Sequence, residues 1–156
     1  MQITPCLLFD TQAEEAAKFY VSVFKNSKIT ETSYYGESGP MPAGTVLMVG
    51  FELNGNGFQA LNCGTQFKFN EAISLSVDCK SQEEVDYFWD KLTADGGAPV
   101  QCGWLKDKYG VSWQIVPDVM PRLLKDPDRA KANRAMQAMM KMKKIVIADI
   151  EAAARG

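Results

Sequence analysis

The sequence predicts an α+β protein made of two βαβββ units forming a curved mixed sheet, followed by C-terminal helices. Three observations carry this. Strand, helix and three strands are read twice in the same order along residues 1–117. A shift of 69 residues lays Glu14-Glu15 on Glu83-Glu84 and Phe19-Tyr20 on Phe88-Trp89, so the two predicted helices match in charge and in aromatic position. After Pro117 the strand patterns stop and apolar residues recur at helical spacing. The expected organisation is a paired domain over 1–117, with units at about 1–63 and 72–117, and a helical extension over 118–156.

The first strand spans 1–9, where Ile3, Leu7, Leu8 and Phe9 supply the apolar positions. Asp10 or Thr11 is the candidate N-cap of the first helix. Glu14 and Glu15 suit the positive end of its dipole, Ala13, Ala16, Ala17, Tyr20 and Phe24 form its apolar stripe, and Asn26-Ser27 end it. Residues 29–35 read as a strand and 36–44, with Gly39, Pro40 and Pro42, as a loop. Residues 46–53 and 58–63 form a hairpin around Asn54-Gly55-Asn56-Gly57. Residues 46–53 are apolar on both parities, which predicts helix over one face and a ligand cavity on the other.

The second unit repeats the order. A strand over 73–79 leads to a helix that starts at a Ser81 cap, runs to about Ala94 and is stopped by Asp95-Gly96-Gly97. Residues 100–106 and 111–116 form a hairpin around Asp107-Lys108-Tyr109-Gly110, with 98–101 as a candidate short strand. In the extension, 119–124 is a short helix. Asp126-Pro127-Asp128 opens a longer one carrying Ala132, Ala135, Met136, Met139 and Met142 on one stripe, and a last helix covers 147–154.

Composition narrows the chemistry. The chain has no histidine, which excludes a serine-histidine triad, a histidine general base and any histidine metal cluster. Cys6, Cys63, Cys79 and Cys102 form no C-x-x-C, so neither a zinc ribbon nor a dithiol redox motif is present, and reduced, mostly buried thiols are expected. Net charge is −2, unevenly placed. Residues 1–117 hold 8 Lys and Arg against 14 Asp and Glu, whereas 118–156 hold 9 against 5. All four arginines (Arg122, Arg129, Arg134 and Arg155) lie in the extension, so the paired domain has no guanidinium fork for a phosphate, and nucleic acid is not an expected partner. No apolar run approaches a membrane span. Residues 1–9 lack the basic and apolar regions of a signal peptide, and a cytoplasmic location is expected.

Several segments together identify a family resemblance: Ile3-Thr4-Pro5-Cys6-Leu7-Leu8-Phe9, Ala13-Glu14-Glu15-Ala16 with Phe19-Tyr20, the run from Cys102-Gly103-Trp104 through Asp107 and Gly110 to Trp113-Gln114, and the Met-Lys stretch over 136–144. The chain resembles the PhnB-like branch of the glyoxalase and bleomycin-resistance (vicinal oxygen chelate) superfamily, over essentially its whole length. The resemblance implies the paired βαβββ fold, assembly as a homodimer, and a divalent metal held near Thr4, Leu61, Ala72 and Gln114. Leucine and alanine cannot ligate, threonine is a poor ligand, and one glutamine cannot hold zinc or nickel without partners, so no metal and no cofactor are expected here. The branch is often labelled demethylubiquinone methyltransferase. The first strand, however, runs into Asp10-Thr11-Gln12 with no glycine before Gly36, unlike a loop built to cradle S-adenosylmethionine, and the label is read as inherited naming.

The expected ligand-binding residues are Gln114, Trp104, Trp113 and Gln59. A two-residue loop would set Trp104 opposite Trp113; a bulge at Gly110 would set it opposite Gln114. Such an aromatic pair commonly serves sheet packing. Gln114 interrupts an apolar strand, and a buried amide there requires hydrogen bonds; the other reading is a glutamine facing solvent or a partner. Gln59 and Asn62 lie on opposite faces, so at most one lines the cavity. Lys106 and Asp107 are expected in solvent or paired with each other, and Glu52 and Glu71 have no evident partner. Two functions fit: a small-molecule binding module, or an enzyme (lyase, isomerase or related) whose metal or acid-base group lies elsewhere. The binding module is preferred.

Overall fold

The computed structural model describes Met1, residues 3–64 and residues 67–156. It divides into two compact units, Met1–Lys68 and Phe69–Gly156, and the helices after Pro117 lie in the second.

In the first unit, β1 (Cys6–Phe9) leads to α1 (Ala13–Val23), β2 (Lys28–Tyr34), β3 (Val46–Leu53) and β4 (Asn56–Asn62). The strand predicted over 1–9 is shorter, beginning after Pro5, and Gln2 lies outside the described residues. The sheet order is β1-β4-β3-β2, with β1 parallel to β4 and the other pairs antiparallel. Asn54 and Gly55 both have positive φ, 47° and 80°, which makes the tight β3–β4 turn that twisted strands require. α1 packs on β3 and β4, burying Ala13, Ala16, Ala17 and Tyr20. Tyr20 stacks on Phe51 at 6.1 Å between centroids, and Phe51 on Phe58 at 5.5 Å. The predicted caps Asp10 and Thr11 are not used. Gln12 stands at the N-cap without a side-chain bond, and Asn62 supplies the acceptor from across the sheet.

In the second unit, β5 (Leu75–Cys79), α2 (Gln82–Thr93), β6 (Ala98–Pro99), β7 (Trp104–Lys106) and β8 (Ser112–Pro117) repeat that order, and the sheet runs β5-β8-β7-β6 with the same parallel first pair. The ladder hydrogen bonds thus form two four-stranded mixed sheets, one in each unit, where the sequence suggested one curved sheet. The repeat itself holds in detail. Glu14-Glu15 and Glu83-Glu84 occupy the second and third positions of α1 and α2. Ser81 caps α2, accepting from Glu84 N at 3.3 Å. Asp95, at φ 55°, and Gly96 end the helix in a short 3₁₀ turn.

Three further helices complete the unit: α3 (Val119–Leu124), α4 (Arg129–Met139) and α5 (Ile147–Arg155). Asp128 caps α4, its Oδ1 accepting from Ala130 N and Lys131 N. Val119, Met120, Leu123, Ala135, Ile145, Ile150 and Ala154 make one buried cluster against which Met139 and Met142 pack. The stretch after α4 is also tied to the β-hairpin by backbone bonds, Cys102 N to Met142 O and Gly103 N to Lys143 O, and to α2 through Gln82, whose amide bonds Ile145 O and Ile147 N. These bonds are why the extension and the strands form one unit. Among the described residues no helix is long and apolar enough to cross a membrane.

Candidate functional site

The β7–β8 register decides which side chains share a face. Trp104 pairs with Gln114, Leu105 with Trp113 and Lys106 with Ser112. The bulged alternative is therefore the one adopted. Gly110 N donates to Asp107 O and Asp107 N to Val111 O, both at 2.9 Å, with Gly110 at φ 89°, which inserts the extra residue. On β5, Ser76 pairs with Gln114. Trp104, Gln114 and Ser76 consequently stand side by side across three strands on one face.

Leu105, Trp113 and Ile115 take the other face, and all are buried, as expected on the side that α2 covers. Trp113 is thus a core residue and does not join Trp104 and Gln114. Its indole Nε1 donates to Asp107 Oδ2 at 2.8 Å, while Asp107 Oδ1 accepts from Tyr109 N at 2.9 Å and Val111 N at 3.1 Å. Asp107, only 2% exposed, is the buried keystone of the turn and not a solvated or Lys106-paired carboxylate. Lys106 instead pairs with Glu71 at 2.5 Å, and that hydrogen bond holds the Glu71 carboxyl below its usual range. Glu52 likewise has a partner, Lys28, at 3.5 Å.

Gln114, half-buried, donates from Nε2 to Ser74 Oγ at 2.8 Å. Two residues earlier on the same face, Ser112 Oγ is buried and makes no hydrogen bond among the described residues. Neither serine is visible as a site residue from the sequence, because serine is common on strands and only the register aligns these two with Gln114. The equivalent strand ends Phe9 and Cys79 make Ser74 the internal counterpart of Thr4, one residue off the 69-residue shift that aligns the helices.

Gln59 lies in the first unit, pairing with Gly50 on β3 and Cys6 on β1. The bonds Cys63 N to Phe9 O and Asp118 N to Cys79 O mark equivalent ends of the two parallel pairs. Counting back four residues from Cys63 and from Asp118 makes Gln59 the internal counterpart of Gln114, a place the sequence assigned to Leu61. Asn62 faces the opposite way and is structural. Its Oδ1 accepts from Ala13 N at 2.8 Å, its Nδ2 donates to Val46 O at 3.0 Å, and its carbonyl accepts from the Tyr35 hydroxyl.

The donor set does not suit the divalent metal that the resemblance implies. Gln114 and Ser74 are neutral, weak ligands already bonded to each other, and among the described residues no three His, Cys, Asp or Glu side chains stand together. Cysteine nucleophilic chemistry at Cys79 is also disfavoured. Burial, with Glu84 and Asp78 nearby, pushes its thiol up to about 12, far from the thiolate form at neutral pH. What this face offers is an indole, a carboxamide and hydroxyls, a set that stacks on and hydrogen-bonds a neutral polar molecule.

The family described as 3-demethylubiquinone-9 3-methyltransferase matches residues 1–116. Among solved structures, the PhnB protein from Bacillus cereus is 40% identical with a TM-score of 0.68, covering 75% of this chain and 99% of that one. Protein PA1353 from Pseudomonas aeruginosa is 20% identical with a TM-score of 0.60, covering 76% and 99%. The fosfomycin resistance protein FosX from Listeria monocytogenes is 13% identical with a TM-score of 0.56, covering 79% and 96%; these last two are similar in fold. No match is found among curated proteins.

Proposed function

The chain belongs to the PhnB-like, 3-demethylubiquinone-9 3-methyltransferase family, and from that premise we propose that it is a small-molecule binding protein working without a resident transition metal. The observation that carries this reading is the β5-β8-β7 face, where Trp104, Gln114 and Ser74 stand together beside the desolvated Ser112 hydroxyl. In this reading Gln59, at the equivalent place in the first unit, is a ligand-binding residue on that unit's own sheet. Methyl transfer is not part of it, since the turn from β1 into α1, Asp10-Thr11-Gln12, lacks the glycine that close approach of S-adenosylmethionine requires.

Fragment titration of the isotope-labelled chain tests the proposal. Planar neutral fragments are expected to shift the Trp104 indole and Gln114 amide signals, with Trp104→Ala weakening binding roughly tenfold. Calorimetric titration with nickel or zinc is expected to show no submicromolar site, and Gln114→Glu alone adds too few charges to create one. Stoichiometric metal in the purified protein, or fragment shifts that avoid this face, would favour the enzyme reading instead.

The same reading includes a homodimer formed through the C-terminal helices. Supporting it, Met136 and Met140 remain 39% and 62% exposed at α4 while Met139 and Met142 are spent on the unit's own core. Deleting the chain from Asp126 would also remove the Met142 and Lys143 carbonyls that pair with Cys102 and Gly103, so point substitutions are the cleaner probe. Met136→Glu with Met140→Glu is expected to turn a sedimenting dimer into a monomer. A wild-type monomer at micromolar concentration, or a double variant still dimeric, contradicts this arrangement.

A further inference from the structure

We infer that the groove between α3, α4 and α5 is a second binding site, one that takes a small amphipathic anion: an oxyanion head on a short apolar body. It is separate from the β5-β8-β7 face and does not depend on that reading. The groove holds about 270 Å³, just below the ~300 Å³ at which small-molecule pockets begin, so the ligand is of fragment size. Its apolar lining is Val119, Leu123 and Ala154, whose burial in the C-terminal core fixes their positions.

The charged lining is Arg122, Lys131 and Arg155, with Glu151. The four arginines of the chain divide into two pairs. Arg134 donates to the carbonyls of Ala153 and Ala154 at 3.1 and 2.6 Å, and Arg129 to that of Leu124 at 3.4 Å, so these two close the C-terminal ends of α5 and α3. Arg122 and Arg155 have neither duty. Both line the groove, and no ion pair or hydrogen bond of either side chain is found among the described residues. Lys131 is held by Asp126 at 2.7 Å. Two uncommitted guanidinium forks beside an apolar surface match an oxyanion that carries a hydrocarbon body. Glu151 lies one turn before Arg155 on α5 and competes with the ligand for it.

The test is a ¹H–¹⁵N NMR titration of the full chain with hexyl phosphate, inorganic phosphate and hexanol in parallel. Hexyl phosphate is expected to shift the amides of Val119, Leu123 and Ala154 at submillimolar concentration, with the other two probes roughly tenfold weaker or more. Arg122→Ala with Arg155→Ala, both exposed positions, is expected to weaken hexyl phosphate by roughly tenfold or more. Glu151→Gln is expected to tighten it. Hexanol or inorganic phosphate binding as well as hexyl phosphate, shifts confined to other residues, or a double alanine variant with unchanged affinity and an unchanged spectrum elsewhere would each overturn the site. Should the double alanine variant misfold, the paired lysine substitutions take its place, and full hexyl phosphate affinity in them would overturn the role of the guanidinium forks.

Discussion

Asp107→Ala is expected to lower stability by about 3–5 kcal/mol, the largest effect of any single polar substitution proposed for this chain. The carboxylate is 2% exposed and accepts from Tyr109 N, Val111 N and the Trp113 indole. Removing it withdraws the acceptor from all three donors at once, two of them in a turn that depends on Gly110 at φ 89°. Asp107→Asn preserves the shape but turns an N–H₂ group toward either the backbone donors or the indole N–H, so it is expected to lose more than half as much. Urea unfolding followed by tryptophan fluorescence measures both. A loss below about 1 kcal/mol for the alanine variant would mean that the turn holds without its carboxylate. The consequence for the site is direct, because the bulge that Asp107 maintains is what sets Trp104 beside Gln114.

Asn62→Ala is the second large effect, expected at about 2–3 kcal/mol and centred on the first unit. Asn62 acts as the N-terminal cap of α1 from a distance of 49 residues in sequence, while its amide nitrogen also holds Val46 O at the start of β3. No side chain adjacent to α1 replaces it, since Gln12 makes no cap bond. Asn62→Asp keeps the acceptor for Ala13 N and loses the donor to Val46 O, so it is expected to recover part of the loss. Hydrogen exchange of the first α1 amides distinguishes the two variants. Fast exchange there in Asn62→Ala but not in Asn62→Asp is the expected pattern; equal protection in both would show that α1 needs no partner at its start.

Much of the fold follows from local chemistry, and so it is legible in the sequence. The Asn54-Gly55 turn, the Ser81 cap with Glu83-Glu84 behind it, and the Asp126-Pro127-Asp128 opening each place special backbone geometry on residues that tolerate it. The repeat shift then links two such units, and the parallel pairing of β1 with β4 and β5 with β8 follows the same order twice. Zero histidines and four arginines confined to residues 118–156 restrict the chemistry before any coordinate is known.

Long-range contacts settled the rest. A strand pattern is compatible with two registers that differ by one residue, and that difference moves Trp113 from the ligand face to the core. Asp107 reads as an ordinary turn residue until Trp113 folds over it, and Asn62 as a sheet amide until α1 docks on it. Sequence separates the arginines of the extension only by number. Helix packing gives Arg129 and Arg134 carbonyls to close and leaves Arg122 and Arg155 on the groove, because which side chain meets a helix end depends on where another helix stops.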